Sequence, residues 1–382
     1  MIYLDNAATS FPKPAGVWRE QMRCMQKYCG NPGRGSHALA LAAAEKIYEC
    51  REEVAALFRS PTPENVVFTM NTTASLNMAI KGLLKDGDHV LISDMEHNAA
   101  RRPVHALAEA GRITYDVFPT FPLDPHRTPA RICAAILERI KPNTRMLVCA
   151  HASNICSASL PLLEIGALCR QRGILFVVDA AQSAGHLPIN VADMHIDALC
   201  VPGHKGLMGP QGTGILLLGD GIRAETLLEG GSGYNSRDAH MPDEAPERYE
   251  AGTLPTPAIA GLCEGIRELR RRGIEAIHAH ESALTDHLTA RLGEVDGVTL
   301  YAPHHRGAVV LFNVNGYSSD AVAQMLDTRG FCVRSGLHCA PLAHTTLATP
   351  PGGAVRVSPS IFNTLAHVDA FANTVLEICE KS

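Results

Sequence analysis

The sequence has no surplus of positive charge: 34 Lys and Arg stand against 39 Asp and Glu, a formal net charge of −5. Without a basic excess there is no electrostatic footprint for a nucleic acid or an anionic membrane, which leaves small molecules and proteins as partners. No apolar run is long enough to span a bilayer, and the start, Met1-Ile2-Tyr3-Leu4-Asp5-Asn6, lacks the basic and apolar regions of a signal peptide. The expected location is the cytoplasm. Although there are twelve cysteines, no C-x-x-C or H-x-x-x-H pair occurs, so a structural zinc site is not expected. The cysteines are scattered along a large chain, which reads as reduced core thiols rather than a disulfide framework.

What is present is a globular composition, 46% hydrophobic and 19% charged. At 382 residues the chain exceeds one compact core, so a large lobe and a smaller one with a cleft are expected. From Asn65 to Leu218 short apolar runs alternate with amphipathic stretches, the signature of βαβ units around a mainly parallel sheet. Strands are predicted near Val66–Thr69, His89–Ser93, Arg145–Ala150, Ile174–Asp179, Ala198–Val201 and Gly214–Leu218. Helices are predicted near Ala74–Leu84, Ala99–Ala110, Pro129–Ile140 and Pro161–Arg172. Beyond a Gly- and Pro-rich stretch, 230–257, the pattern changes to helices at Ala258–Arg272 and Glu275–Leu292 and strands near Val298–Tyr301 and Ala308–Asn313. A helix at Ser319–Thr328, strands at Phe331–Arg334 and Val355–Val357, and a helix from Leu365 complete an α+β lobe.

In parallel sheets ligands gather beyond the carboxyl ends of the strands. Two predicted neighbours end in Asp179-Ala180-Ala181-Gln182 and Pro202-Gly203-His204-Lys205. Desolvation and nearby positive charge let a buried lysine lose its proton, and the neutral amine can form a Schiff base. A carboxylate facing a pyridine nitrogen keeps it protonated, which makes the ring an electron sink. Met70-Asn71-Thr72-Thr73 follows a strand and opens a helix, placing hydroxyls and free N–H groups where a phosphate can bind. Taken singly, each feature has a plainer reading: Asp179 and the threonines as helix caps, Lys205 as a surface charge.

Together, Leu4-Asp5-Asn6-Ala7-Ala8-Thr9, Asn71-Thr72-Thr73, Glu96-His97, Ser153-Asn154, Asp179-Ala180-Ala181-Gln182, Gly203-His204-Lys205 and Glu250-Ala251-Gly252-Thr253 resemble the class V aminotransferases. Arg334-Ser335-Gly336-Leu337-His338-Cys339-Ala340-Pro341 is similar to the branch containing cysteine desulfurases and selenocysteine lyases. The matches run in order from residue 4 to about Thr364.

The resemblance implies an α/β fold: a large domain, 16–255, that binds pyridoxal 5′-phosphate (PLP) on a mainly parallel seven-stranded sheet flanked by helices. It also implies an arm, 1–15, packing near a smaller α+β C-terminal domain, 256–382, that carries the Cys339 loop. Lys205 would then bond the cofactor, Asp179 pair with its pyridine nitrogen, Gln182 bond its phenolic oxygen and His97 stack on its ring. Thr72, Thr73 and His204 would hold the phosphate, with Thr253 reaching in from a second subunit of a homodimer. Asn154 and Arg356 would bind the substrate carboxylate, which suits the planar guanidinium fork, and Arg334 would support them.

The implied activity converts L-cysteine to L-alanine, with Cys339 taking the sulfur as a persulfide, His97 assisting the catalytic Lys205, and an acceptor protein receiving the sulfur. Gly336, His338 and Pro341 describe a turn-rich loop, where the thiol is accessible and a cationic neighbour favours thiolate; Cys332, in a strand, serves as the inert comparison. L-selenocysteine as substrate is the nearest alternative, followed by other carbon–sulfur lyases and transaminases; a sulfur carrier or scaffold without chemistry is the alternative of another class. Two positions depart from the family pattern. Pro202 offers the phosphate neither hydroxyl nor N–H, and Ala74 stands where relatives carry a polar residue.

Overall fold

The computed structural model describes residues 1–33, 35–234 and 237–380. A short strand, β1 (Ile2–Tyr3), precedes α1 (Ala15–Lys27) and α2 (Ala38–Phe58). The alternation then runs β2 (Val66–Thr69), α3 (Thr72–Leu83), β3 (His89–Ser93), α4 (Asn98–Glu109), β4 (Thr114–Phe118), α5 (Pro129–Leu137), β5 (Thr144–Ala150), α6 (Leu162–Arg172) and β6 (Leu175–Asp179), followed by β7 (Ala198–Pro202) and β8 (Gly214–Leu218). The remainder comprises α7 (Thr256–Arg272), α8 (Ile274–Gly293), β9 (Val298–Leu300), β10 (Val310–Val314), α9 (Ser319–Asp327), β11 (Phe331–Cys332), α10 (Pro341–Thr346), β12 (Val355–Val357) and α11 (Leu365–Cys379). Among the described residues no helix is long and apolar enough to cross a membrane.

The central sheet has seven strands in the order β2-β8-β7-β6-β5-β3-β4. Pairings from β4 through β7 are parallel, and β8 alone runs the other way, antiparallel to both β7 and β2. Period-two alternation gives each central strand two apolar faces: in β6, Phe176 and Val178 join one core while Leu175 and Val177 join the other. One core carries side chains of α3 and α4, the other those of α2, α5, α6 and α7. Each fully buried Leu or Ile contributes roughly 1.5–3 kcal/mol, so both faces must be covered.

β4 was not foreseen. It is an edge strand, paired only with β3, and its Thr-Tyr-Asp-Val-Phe sequence lacks the continuous apolar run that marks the buried strands. The strand expected over Phe331–Arg334 ends at Cys332, after which Arg334 makes a single bridge to Arg356.

A three-stranded antiparallel sheet, β12-β10-β9, forms the second body with α8, α9 and α11. The boundary expected at residue 256 coincides with the start of α7, whose Ile259, Leu262, Ile266 and Leu269 share the core of the large sheet. The change of company comes one helix later: α8 touches that core at Ile277 and ends in the second with Leu284, Leu288 and Leu292. Of the expected 256–382 lobe, residues 381 and 382 lie outside the described residues, as do 235 and 236 of the connecting stretch. The chain's start returns to this second body. β1 pairs in parallel with β11, Ile2 opposite Phe331, and Leu4 is buried in the same core.

Candidate functional site

Five strand ends of the large sheet converge on one cavity of about 180 Å³. Thr72, Thr73, His97, Asn154, Asp179, Gln182, His204 and Lys205 all line it, so eight of the residues singled out from the sequence meet there. Asn154 and Lys205 lie a few residues beyond their strands rather than at the ends themselves.

The loop after β2 is capped by Asn71, whose Oδ1 accepts from the Ala74 amide at 2.9 Å. The cap is therefore Asn71 and not a threonine. This leaves the Thr72 hydroxyl buried without a partner, beside first-turn amides that have none within the helix. Ala74 gives its amide to this cap, and its side chain does not line the cavity. Pro202 forms part of the cavity wall at the end of β7.

After β3, Ser93 Oγ donates to Glu96 Oε1 at 2.5 Å, and the Ala150 amide at the end of β5 donates to the same oxygen at 2.8 Å. Burial, reinforced by the carboxylates of Asp179 and Asp94, pushes the Glu96 carboxyl up to about 8. His97 is the N-cap of α4: its Nδ1 accepts from the Ala99 amide at 3.0 Å. Burial and the charge of Lys205 pull its pKa down to about 4, so the ring is neutral and Nε2 carries the proton. His97 thus serves both as a helix cap and as part of the cavity wall.

Asp179 ends β6 with 3% exposure, and its Oδ1 accepts from the Ala181 amide at 2.9 Å. Burial raises its pKa, opposed by that hydrogen bond and by Lys205. Gln182 donates through Nε2 to the Ala7 carbonyl at 2.9 Å. Burial brings the Lys205 ammonium down to about 8; Arg356 and Arg334 push the same way, and Asp179 opposes them. The chain's first residues also reach His204. Thr9 Oγ1 lies 3.1 Å from its Nδ1, and Lys13 Nζ donates to its carbonyl at 2.7 Å.

Arg356 lies behind this cavity. It is 2% exposed, donating from Nη2 to Asp5 Oδ1 at 2.7 Å and from Nη1 to the Asn154 carbonyl at 3.1 Å, while its Nε is buried without a partner. The two residues expected to bind a carboxylate are thus joined. Arg334 has an exposed side chain and meets Arg356 through the backbone, accepting from its amide at 2.7 Å. Thr253 does not line the cavity of its own chain. It sits on an open groove of about 770 Å³, next to the Glu250 carboxylate that pairs with Arg51 at 2.5 Å.

Cys339 is exposed, in contrast to the half-buried Cys332. His338 and Cys339 both have left-handed backbones, φ 50° and 55°, which cost about 1 kcal/mol or more for residues other than glycine. The loop is held by its carbonyls: Asn154 Nδ2 donates to that of His338 at 2.8 Å, and the Asn98 amide donates to that of Cys339 at 2.7 Å. One expectation fails here. His338 is no cationic neighbour, because burial and the positive charge of Arg356 drive its pKa down to about 3 and the ring is neutral. Positive charge near the loop comes from the arginines instead.

Sequence reasoning gave no role to Asp5, Glu96 or Asn98. Asp5 and Glu96 stand within motifs quoted above, which was the available signal; the Asn98 contact is made by backbone and leaves none.

The chain matches the family profile Aminotransferase class-V over residues 2–371. A relative from Methanothermobacter thermautotrophicus, named "Probable cysteine desulfurase", is 34% identical over 388 residues, covering 99% of this chain and 94% of the relative. One of the same name from Pyrococcus abyssi is 32% identical, covering 100% and 95%. Among solved structures, apo cysteine desulfurase from Thermococcus onnurineus superposes with a TM-score of 0.91 at 33% identity, covering 100% of this chain and 95% of the other. An Escherichia coli cysteine desulfurase in an S-sulfonic acid form gives 0.86 at 25% identity, covering 99% and 94%.

Proposed function

Because this chain belongs to the class-V aminotransferase family, we propose that it is a PLP-dependent cysteine desulfurase that forms alanine from L-cysteine and holds the sulfur on Cys339. The observation that carries the reading is the single cavity in which Lys205 faces Asp179, Thr72 and Thr73. These residues fit the cofactor: the unpartnered Thr72 hydroxyl suits a phosphate oxygen, and a buried acid stands across from a lysine of lowered pKa. Thr72, Thr73 and His204 would hold the phosphate, Asp179 the pyridine nitrogen, Gln182 the phenolic oxygen, and His97 the ring face. When bound, the cofactor supplies an electron sink for the carbon that loses its proton.

The remaining work belongs to the chain. Arg356 and Asn154 orient the substrate carboxylate, and Lys205, once neutral, accepts the α-proton. His97, with its proton on Nε2, assists the return of a proton to the product carbon. The Cys339 thiolate forms an S–S bond to the substrate sulfur as the substrate C–S bond breaks. The electron pair stays on carbon, which takes a proton and leaves as alanine. Residues 16–255 are assigned as the PLP-binding domain and 256–382 as the smaller domain that carries Arg356 and the Cys339 loop, with the arm, 1–15, packing near the latter. Thr253 is assigned to the neighbouring site of a homodimer, the location to the cytoplasm, and the final sulfur to an acceptor protein. The names of the relatives favour sulfur over selenium as the substrate atom.

The test is a stoichiometric assay with L-cysteine. Alanine should appear with equimolar sulfide under reductant, and without reductant the peptide containing Cys339 should gain one sulfur by mass. Pyruvate with ammonia, or pyridoxamine phosphate, in place of alanine would replace this reading with a lyase or a transaminase.

A further inference from the structure

Three polar side chains near the nucleophile have no place in the chemistry above: the buried His338 and His344 and the half-buried Thr349. The two imidazoles lie almost parallel, 14° apart with centroids 5.4 Å from each other. His338 Nε2 is 3.3 Å from the Arg334 carbonyl, and its Nδ1 is 3.2 Å from His344 Nε2. His344 Nδ1 is in turn 2.8 Å from Thr349 Oγ1.

The chemistry of the ends fixes every proton between them. A carbonyl only accepts, so His338 carries its proton on Nε2, and in a neutral ring its Nδ1 must accept. His344 therefore donates from Nε2 and accepts at Nδ1, where the Thr349 hydroxyl is the donor. Burial keeps both rings neutral. The run of donors is Thr349 to His344 to His338 to the Arg334 carbonyl, and the last link clasps the loop across the residues that lead to Cys339.

That loop needs a clasp. His338 and Cys339 are consecutive non-glycine residues with positive φ, a conformation the isolated chain avoids. Asn154 and Asn98 hold the two carbonyls from the side of the cavity, and His338, 5% exposed, holds the loop from within while Cys339 stays exposed. We infer that His344 is a positioning residue for sulfur transfer: by donating to His338 it fixes the clasp that keeps Cys339 in its left-handed conformation beside α4. The inference rests on the desulfurase reading for its effect on turnover, but not for its effect on the loop.

The experiment compares the PLP-loaded wild type with His344→Phe, which keeps a stacked ring but no donor, and His344→Gln, whose amide can still donate to His338. For His344→Phe, kcat for alanine from cysteine should fall about tenfold or more with KM nearly unchanged and the cofactor absorbance intact. Hydrogen exchange of the peptide spanning 335–341 should quicken about tenfold, while a peptide from α6 should not change. His344→Gln should restore most of both. Thr349→Val, which removes only the first donor, should move both in the same direction by a smaller factor, and it keeps the test open if His344→Phe does not fold. Unchanged turnover and exchange, equal losses in the Phe and Gln variants, or loss of the cofactor band in parallel with activity would overturn the positioning role. A wild type that makes no alanine from cysteine would overturn the desulfurase reading alone, leaving the exchange comparison to judge the clasp.

Discussion

The backbone amide of Asn98 donates to the carbonyl of Cys339 at 2.7 Å. Asn98 is the first residue of α4, and His97, its cap, lines the cavity with Lys205. The thiol that would take sulfur and the ring that would cover the cofactor are therefore fixed to one helix end. Movement of one is movement of the other.

Removing the thiol separates the two halves of the reaction. Cys339→Ala should retain the yellow cofactor band and its change on adding cysteine, yet lose alanine formation by on the order of a hundredfold or more. Cys332→Ala should behave as wild type. Alanine production by Cys339→Ala at the wild-type rate would remove Cys339 from the mechanism.

Lys205 should report its environment through pH. Its ordinary value of 10.5 is brought down to about 8, mainly by burial. Only the neutral amine bonds an aldehyde, so the rate at which cofactor-free protein takes up PLP should rise about tenfold per pH unit below that value and level off above it. Absorbance kinetics from about pH 6.5 to about 9.5 would show this. A rise that continues unbroken towards 10.5 would mean that the lysine is not desolvated. Lys205→Ala should give no borohydride-reducible linkage at any pH.

Arg356→Lys tests geometry at constant charge. One ammonium cannot serve Asp5, the Asn154 carbonyl and a carboxylate together, so KM for cysteine should rise about tenfold with a smaller change in kcat. Arg356→Leu also strands Asp5 and should destabilise the fold by about 3 kcal/mol in denaturant titrations. An unaltered KM in the lysine variant would place carboxylate binding elsewhere.

Glu96 offers a prediction whose sign follows from its carboxyl rising from 4.5 to about 8 on folding. Between those values the folded protein holds a proton that the unfolded chain lacks. Wild type therefore loses stability as pH rises through this window, and above it the penalty is complete. Glu96→Gln has no proton to lose and keeps an acceptor for Ser93 and Ala150. Its stability relative to wild type should grow from about pH 5 to about pH 8.5. An equal difference at both ends would show that Glu96 is ionised in the fold.

How far the sequence revealed these features depends on the distance over which each is determined. Val90, Leu91 and Ile92 of β3 and the whole of Ala198–Pro202 are apolar because helices cover both faces of the sheet, so the parallel core was readable. So were the polar residues beyond the strand ends, since they interrupt such runs. β4 was missed because an edge strand does not need them, and α1 and α2 lie before the alternation that carried the pattern. The Asp5–Arg356 pair joins residues 351 positions apart and has no local trace. His338 was misjudged for a related reason: turn-forming neighbours suggest exposure, whereas its ring packs inward against His344 and is neutral.

The parallel pairing of Ile2 with Phe331 sets a schedule for the chain as it is made. Its first strand has no partner until more than three hundred residues have followed, and Leu4 has no core to enter until the strands and helices around it exist. The start of the chain must wait unfolded while the large sheet assembles, then close over Arg356, Gln182 and His204 near the end. A nascent chain therefore has a folded body before it has a finished active site, because Asp5, among the first residues made, and Arg356, among the last, meet only when the chain is nearly whole.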